Sequence, residues 1–385
     1  MQAFKDRIQS RLKEREEKGL SRRLTALSGA NSSDFQRDGK QYLNFSSNDY
    51  LGLATEPSLV SAWQEGLSIY GAGSAASPLI TGFSDAHCKL EETLCEWLGF
   101  DRAILFSSGF SANQAVLFSL LEKDDLLIQD KLNHASLMES GLLCPASMKR
   151  FRHNDIDHLN SLVDPSKSTL VVTEGVFSMD GDLSPLSCLA EKAELNNAAL
   201  MVDDAHGIGV LGEEGRGSCE HAGVKPDILV VTFGKAPGLS GAAVMCNANL
   251  GDYFTQFARH HVYSTAMPPS QAHALTHSVS LMRTQQWRRE KLAELSGAYD
   301  EALADLPGFI HTDTPIKPFL FGEAEVTVDV AYNLREQGIW VTPIRPPTVP
   351  KGQARLRITL TANHSIADVA KMANKIKQVV ASRVC

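Results

Sequence analysis

The chain alternates short, continuous apolar runs with segments in which apolar residues recur every three or four positions. The apolar runs predict buried strands at 103–107, 126–129, 148–151, 169–175, 199–203, 227–233 and 241–246. Segments with helical spacing lie between them and include 111–121, 134–143, 155–163 and 184–197. Strands that alternate with helices over this length predict an α/β fold, with a mostly parallel, seven-stranded central sheet covered by helices on both faces.

The start of the chain has a different pattern. Phe4, Ile8 and Leu12 recur among charged residues and predict a short amphipathic helix that ends near Gly19. We expect this N-terminal helical arm to pack on the body of the protein or on a partner subunit.

A single long helical pattern follows the predicted sheet and runs from about Pro268 to Leu306. The rest of the chain is typical of a smaller α+β domain, with a strand, a helix at 327–337, strands at 339–344 and 354–360, and a closing helix from Ser365. Ser365 and Asp368 fit a capping box for that helix. We therefore predict an N-terminal arm (1–45), a large α/β domain (46–285) and a C-terminal α+β domain (286–385).

Composition limits the classes of partner. The 385 residues are 43% hydrophobic and 21% charged with a net charge of −8, and no long Lys/Arg block occurs, so nucleic acid and anionic membrane are poor partners. No apolar run approaches the roughly 18 residues of a membrane span. The mixed charges of Met1–Arg23 fit neither a secretory signal nor a transit peptide. Seven cysteines without a Cys-x-x-Cys pair predict a reduced, cytoplasmic setting; they are residues 88, 95, 144, 188, 219, 246 and 385.

The strand predicted at 227–233 ends in Gly234 and Lys235. Ligands of open α/β sheets collect at the carboxyl ends of the strands. A lysine that is partly shielded from water there loses its proton more easily and can act as an amine nucleophile. Most single lysines are simply exposed. Whether Lys235 is functional therefore depends on which other residues reach the same edge of the sheet.

Polar residues follow the other predicted strands. Ser107–Asn113 leads into a helix and offers glycine, hydroxyls and free N–H groups to an anion such as a phosphate. His134 follows the second strand and could cover a flat ring or carry a proton. Asp203, Asp204 and His206 directly follow an apolar strand, where unpaired charges are costly to bury. They could bind a metal, or one acid could pair with a cationic ring nitrogen.

Together these residues meet the requirements of pyridoxal 5′-phosphate. Lys235 could bind the cofactor's aldehyde, the helix start could hold its phosphate, and a buried carboxylate could keep its pyridine nitrogen protonated. An imidazole could cover the ring.

The same stretches resemble the α-oxoamine synthases, a family of fold-type I pyridoxal-phosphate enzymes. The similarity spans nearly the whole chain, and its most telling stretches are Thr173–Asp182 (TEGVFSMDGD), Val202–Gly207 (VDDAHG) and Val231–Lys235 (VTFGK). It implies a fold-type I transferase that condenses an amino acid with an acyl thioester and releases carbon dioxide. Ile344–Pro350 (IRPPTVP) favours, within the family, L-alanine and a pimeloyl thioester carried by coenzyme A or an acyl carrier protein.

The resemblance also implies roles for individual residues. Lys235 would bind the cofactor and later remove the α-proton, Asp203 would pair with the ring nitrogen, and His206 would bind the ring hydroxyl. His134 would stack on the ring and help to position the acyl substrate. Further cofactor contacts are implied for Gly109, Phe110, Ser178 and Thr232.

Substrate contacts are implied for Arg22 (or its neighbour Arg23), Thr348 and Arg357, the last as a ligand of the amino-acid carboxylate. The resemblance further implies a homodimer with the site between subunits, in which Tyr263–Thr265 reaches the partner's phosphate. Two departures from the family pattern bear on substrate fit: Ala75, Ala76 and Pro78 interrupt a loop that is usually richer in glycine, and Pro237 stiffens the turn after the lysine.

Three other interpretations remain open. One is a sister enzyme of the family that uses glycine. Another is a metal-dependent hydrolase in which His134, Asp203 and His206 bind the metal. The third is a non-catalytic subunit, against which Lys235 argues, because a scaffold has no need of an amine there.

Overall fold

The computed structural model describes residues 1–22 and 24–384, so Arg23 and Cys385 lie outside the described residues. The strands are β1 (Asp34–Arg37), β2 (Lys40–Asn44), β3 (Arg102–Phe106), β4 (Leu126–Asp130), β5 (Ser147–Phe151), β6 (Thr169–Glu174), β7 (Ala199–Asp203), β8 (Ile228–Thr232), β9 (Ala242–Cys246), β10 (Ile316–Gly322), β11 (Ile339–Trp340), β12 (Thr342–Ile344) and β13 (Ala354–Thr359). The helices are α1 (Gln2–Glu17), α2 (Pro57–Tyr70), α3 (Asp85–Leu98), α4 (Gly109–Leu120), α5 (Ala135–Leu143), α6 (Ile156–Leu162), α7 (Leu186–Leu195), α8 (Ser218–His221), α9 (Ala248–Phe257), α10 (Arg259–Val262), α11 (Pro269–Thr284), α12 (Trp287–Leu303), α13 (Ala324–Glu336) and α14 (Ile366–Val384).

The central sheet confirms the predicted α/β fold. Within the described residues it has seven strands in the order β3-β9-β8-β7-β6-β4-β5. All neighbours are parallel except β9, which is antiparallel to both β3 and β8. Every residue of β4, β6, β8 and β9 is buried, as expected for strands covered on both faces. The predicted strands agree with the observed ones to within one residue at each end.

The parallel strands β6, β7 and β8 end close together at one edge of this sheet. Glu174, the last residue of β6, lies beside Asp203, the last residue of β7, and Asp203 lies beside Val230 of β8. The loops that follow these strands therefore open onto the same side of the sheet. This edge carries the site described below.

The prediction of one strand at 339–344 is wrong. Ile339–Trp340 pairs in parallel with β2, whereas Thr342–Ile344 pairs antiparallel with β13. The chain crosses between the two small sheets at Val341, whose side chain is fully buried. The sequence pattern hides this crossing because apolar residues continue through both halves.

The prediction of one long helix from Pro268 to Leu306 is also wrong. Helix α11 ends at Thr284, and α12 begins at Trp287. Gln285 leaves the helical region with φ −95° and ψ 63°, and its side-chain oxygen accepts a 2.6 Å hydrogen bond from Arg288 Nε. Arg288 is buried and donates to Leu51 O at 2.7 Å and to Glu56 Oε2 at 2.6 Å. No glycine or proline marks this break; the partners of a buried arginine fix it.

The predicted N-terminal helix is present as α1. Its apolar residues Phe4, Ile8 and Leu12 are 57%, 55% and 62% exposed, and Arg345 Nη1 hydrogen-bonds Gly19 O just after the helix. Packing of the apolar side chains on a partner subunit stays a prediction. None of the helices in residues 1–22 and 24–384 is long and apolar enough to cross a membrane.

Candidate active site

A cleft of about 300 Å³ opens at the carboxyl edge of the central sheet. It is lined by residues at or shortly after the ends of β3, β4, β6, β7 and β8, and by Asn48. Of the predicted site residues, it brings together Gly109, Phe110, His134, Asp203, His206, Thr232 and Lys235. A larger groove of about 840 Å³ lies between α2, α3 and α11 and is lined by none of these residues.

Lys235 follows β8 and is partly buried in the cleft. Its Nζ donates to Thr232 Oγ1 at 3.4 Å. Burial lowers the pKa of Lys235 despite the opposing charges of Asp203 and Glu174, and the Arg357 guanidinium lowers it further. A larger fraction of the amine is therefore neutral near neutral pH than in a free lysine, as a nucleophile or base requires.

Asp203 presents a buried carboxylate to the cleft. Its Oδ2 accepts from Asn113 Nδ2 at 2.7 Å, and its Oδ1 accepts from Ala205 N at 3.0 Å. The adjacent Asp204 has a different role: it accepts from Ser218 N at 2.9 Å and from Ser218 Oγ at 2.6 Å. Burial raises the pKa of Asp204 to about 7. The first acid of the pair thus lines the cleft, and the second holds the first residue of α8.

The two histidines differ in environment. His134 precedes α5, and its Nδ1 lies 2.8 Å from Ser136 Oγ, to which Asn113 Nδ2 also donates at 2.9 Å. His206 is buried, and its Nδ1 lies 2.6 Å from Tyr50 OH. Burial lowers the pKa of His206 well below its usual value, and the charges of Lys235 and Arg357 add to this effect. His206 is therefore neutral at physiological pH.

The start of α4 has the backbone geometry that an anion site requires. Ser108 caps the helix by accepting from Ser111 N at 3.1 Å. The N–H groups of the first turn have no partner within a helix, so Gly109 and Phe110 can offer theirs to an anion. Gly109 packs closely on β8: a Cβ added there would lie 2.5 Å from Thr232 Cγ2. Only glycine fits this close approach.

Arg357 reaches the site from β13 in the C-terminal part of the chain. Its Nε donates to Ser178 O at 2.6 Å, and its Nη1 donates to Asn48 Oδ1 at 3.0 Å. Asn48 lines the cleft, so the guanidinium lies just behind it. Arg22 and Thr348 are exposed and do not line the cleft, and their substrate contacts stay predictions.

Several residues of the site were not singled out from the sequence. Asn113, Ser136, Glu174, Asn48 and Tyr50 either line the cleft or bond to residues that do. Asn113 carried a signal, because an amide within the apolar pattern of a helix needs a buried partner. The sequence also carried a signal for Glu174, because an acid at the end of an apolar strand is costly to bury without a partner.

The donor set fits a phosphorylated pyridine aldehyde. Lys235 supplies the amine, Asp203 supplies a buried carboxylate for a ring nitrogen, and the start of α4 supplies N–H groups for a phosphate. Within the described residues, Asn113 Oδ1 and Glu174 Oε1 are buried and have no hydrogen-bond partner, so polar acceptors remain available to a bound group.

The geometry gives the metal-hydrolase interpretation no support. In the part of the chain that the structure describes, no three His, Cys, Asp or Glu side chains are grouped so that they could hold a metal ion. The set His134, Asp203 and His206 lines one cleft without forming such a group.

Comparisons with known proteins show the family of the chain. The family described as aminotransferase class I and II matches residues 40–376. A Vibrio parahaemolyticus protein named 8-amino-7-oxononanoate synthase is 64% identical over 380 residues, covering 99% of both chains. The protein of the same name from Vibrio cholerae is 60% identical over 377 residues, covering 98% of both chains.

Solved structures show the same fold. The serine palmitoyltransferase of Sphingomonas wittichii is 28% identical, with a TM-score of 0.91, over 99% of this chain and 98% of that chain. The 8-amino-7-oxononanoate synthase of Francisella tularensis is 31% identical, with a TM-score of 0.78, over 89% of this chain and 98% of that chain. A further similar structure, at 26% identity and a TM-score of 0.91, is described as SPT with a PLP internal aldimine.

Proposed function

Because the chain belongs to the aminotransferase class I and II family and, within it, to the 8-amino-7-oxononanoate synthases, we propose that it condenses L-alanine with a pimeloyl thioester. The products are 8-amino-7-oxononanoate, carbon dioxide and the free thiol carrier, in a step of biotin biosynthesis. The cofactor is pyridoxal 5′-phosphate. The observation that carries the proposal is that Lys235 and Asp203 line one cleft beside a helix start suited to a phosphate.

The chain's own residues would hold the cofactor at several points. Lys235 Nζ would bind its aldehyde, and the Asp203 carboxylate would pair with its ring nitrogen. His206 would bind the ring hydroxyl, and His134 would cover the ring. Backbone N–H groups of Gly109 and Phe110 would bind its phosphate, and Thr232 and Ser178 would supply the remaining contacts to its oxygens. When bound, the cofactor supplies a cationic ring that stabilises negative charge at the substrate's α-carbon.

Lys235 also acts as the proton carrier. Its Nζ removes the proton from Cα of alanine, which is favoured because burial lowers the pKa of the amine. The α-carbon would form a bond to the thioester carbonyl carbon, the C–S bond would break, and the sulfur would leave as a thiolate that takes up a proton from water. The alanine carboxylate is lost as carbon dioxide, and Lys235 then returns a proton to the same carbon.

Arg357 is the proposed ligand of the alanine carboxylate. Its Nε and Nη1 are held by Ser178 O and Asn48 Oδ1, so the guanidinium plane is fixed before substrate binds. A guanidinium pairs with a carboxylate through two parallel hydrogen bonds, which orients the substrate as well as binding it. We propose that Arg22 and Thr348 contact the acyl substrate.

We propose that the protein is a homodimer with Tyr263–Thr265 near the partner's phosphate site. Exposed apolar side chains support this proposal. Ile80 is 74% exposed, Tyr263 is 76% exposed, and α2 exposes Val60, Leu67 and Ile69. Ala266 N bonds Ala76 O at 3.0 Å, which links the loop after Tyr263 to the loop before Ile80. A second copy would remove this apolar surface from water.

We also propose three domains, a cytoplasmic location and a carrier for the acyl group. The division into 1–45, 46–285 and 286–385 is supported by the break between α11 and α12 at Gln285. A cytoplasmic location is supported by the six described cysteines, which are all free. We propose that an acyl carrier protein or coenzyme A delivers the pimeloyl group.

A substrate matrix tests the proposal. L-alanine and glycine are each assayed with acyl groups of several lengths, on coenzyme A and on acyl carrier protein. The proposal requires the highest kcat/KM for L-alanine with a pimeloyl thioester. A preference for glycine with a short acyl group would instead identify a sister enzyme such as 2-amino-3-ketobutyrate ligase.

A further inference from the structure

Glu174 is a buried acid in the cleft to which the mechanism above gives no task. It ends β6, is 2% exposed, and lines the same cleft as Lys235. Its Oε1 is buried and has no hydrogen-bond partner among the described residues. An unpaired carboxylate oxygen is costly to bury, so this side chain needs either a proton or a bound group.

Glu174 has a second carboxyl group, that of Asp203, as its neighbour. Asp203 is its partner in the strand register, and its carboxylate already accepts two hydrogen bonds, from Asn113 and from the Ala205 N–H. Glu174 has no comparable pair of donors. Two adjacent carboxyl groups in a buried site do not both ionise readily, and the better solvated one keeps the charge.

The other charged groups around Glu174 also favour the protonated form of its carboxyl group overall. Burial raises the pKa of Glu174 well above its usual value, and the charges of Asp203 and Asp130 raise it further. The His134 N–H and Lys235 oppose these effects without cancelling them. No oxygen of Glu174 lies within 4.0 Å of Lys235 Nζ in the described part of the chain, so the two side chains form no ion pair.

We propose that Glu174 is a positioning residue that holds a proton in the cleft and, as a neutral acid, keeps the negative charge on Asp203. Its carboxyl group then offers a hydrogen bond to the bound cofactor while Asp203 alone faces the ring nitrogen. This inference rests on the proposed cofactor. This role differs from simple packing. A neutral amide at position 174 should preserve cofactor binding, whereas an apolar side chain of similar size should weaken it.

The test compares Glu174→Gln, which keeps a neutral hydrogen-bonding group, with Glu174→Leu, which does not. Glu139→Gln, at an exposed acid on α5, is the matched control. Binding of pyridoxal phosphate is titrated by absorbance, and the infrared difference spectrum of wild type minus E174Q is recorded on the protein without cofactor. The rate of cofactor association is also measured against pH.

We expect E174Q to bind the cofactor within about threefold of wild type and E174L to bind about tenfold more weakly, the effect of one buried hydrogen bond. The infrared difference should contain the carbonyl band of a protonated acid near neutral pH. The association profiles of wild type and E174Q should coincide near neutral pH and separate only in alkali, where Glu174 ionises.

Three results would overturn the inference: no protonated-acid band, an offset between the two profiles at neutral pH, or equal binding by E174L and wild type. If E174L fails to fold, the infrared difference band and the pH profiles of wild type and E174Q still test the inference. A wild-type protein that binds no pyridoxal phosphate would refute the proposed function instead, so the two failures are distinguishable.

Discussion

Asn113 Nδ2 donates a 2.7 Å hydrogen bond to Asp203 Oδ2 and a 2.9 Å hydrogen bond to Ser136 Oγ. One amide on α4 therefore joins the acid at the end of β7 to the residue that holds His134. This side chain brings together three segments that are distant in the chain: α4, the start of α5 and the end of β7. The carboxylate and the imidazole of the site are positioned together.

Replacing Asn113 by leucine should weaken cofactor binding without unfolding the protein. The change keeps the side-chain volume but removes the donor to Asp203, which costs about tenfold in the Kd of pyridoxal phosphate. The measurement is an absorbance titration. Ser119→Ala on the same helix is the control, since Ser119 Oγ bonds only backbone carbonyls of α4. An unchanged Kd in N113L would contradict the role given to the amide.

Tyr50→Phe tests the partner of His206. Tyr50 OH lies 2.6 Å from His206 Nδ1 and both side chains are buried, so the phenylalanine leaves a ring nitrogen unpaired. We expect the free energy of unfolding to fall by about 1–3 kcal/mol. The visible spectrum of the bound cofactor should also change.

Tyr253→Phe is the matched control for that spectrum. Its hydroxyl bonds Ser119 O at 2.6 Å, away from the cleft. Y253F should lose some stability with no spectral change. A spectral change of the same size in both variants would show that His206 is not the group affected.

His153 should make stability depend on pH. Burial lowers its pKa, but the hydrogen bonds and charges of Asp130 and Asp182 together raise it to about 10. The charged ring bridges Asp130, at 3.1 Å, and Asp182, at 2.8 Å. Because the folded-state pKa exceeds the unfolded value, this stabilisation is complete below about pH 6.5 and is lost as pH rises towards 10.

Chemical denaturation of wild type and His153→Gln across this range measures the effect. The difference in unfolding free energy should be largest at the acid end and should shrink steadily towards alkali. A difference that is constant with pH would mean that the ring is neutral when folded.

Ala75 adopts φ 59°, a left-handed conformation that costs a residue with a Cβ about 1–2 kcal/mol. It lies in the loop where the resemblance leads one to expect glycine. Ala75→Gly should raise the free energy of unfolding by about 0.5–1 kcal/mol, less than the strain relieved because glycine gains entropy when unfolded. Ala76→Gly, at a neighbour with negative φ, should lower it. Equal effects of the two changes in denaturation would exclude strain at position 75.

The sequence predicted the parts of this structure that depend on local pattern. The strands of the central sheet are apolar enough that their limits agree with the structure, and the strand-end motifs led directly to Lys235, Asp203 and His206. The same pattern missed the break at Gln285 and the crossing at Val341. Both depend on tertiary partners, Arg288 with Glu56 at the break and β13 at the crossing, which no local periodicity records.

The site was predicted unevenly for the same reason. Residues that directly follow strands were identified, because topology alone brings them to one edge. Asn113 and Tyr50 were given no role of their own, because their importance comes from hydrogen bonds to residues far away in the chain. Polar side chains that pair within the fold become visible only when the fold is known.

The central claim is that Lys235 is the amine that binds the cofactor in a cleft where Asp203 is the facing acid. It is tested most directly by adding pyridoxal phosphate, reducing with borohydride and mapping the modified peptide by mass spectrometry, with Lys235→Ala in parallel. We expect a visible absorption band and a pyridoxyl group on Lys235 in the wild type, and neither the label nor turnover in K235A. A wild-type protein that stays colourless and unlabelled, or a K235A variant with near-normal turnover, would contradict it.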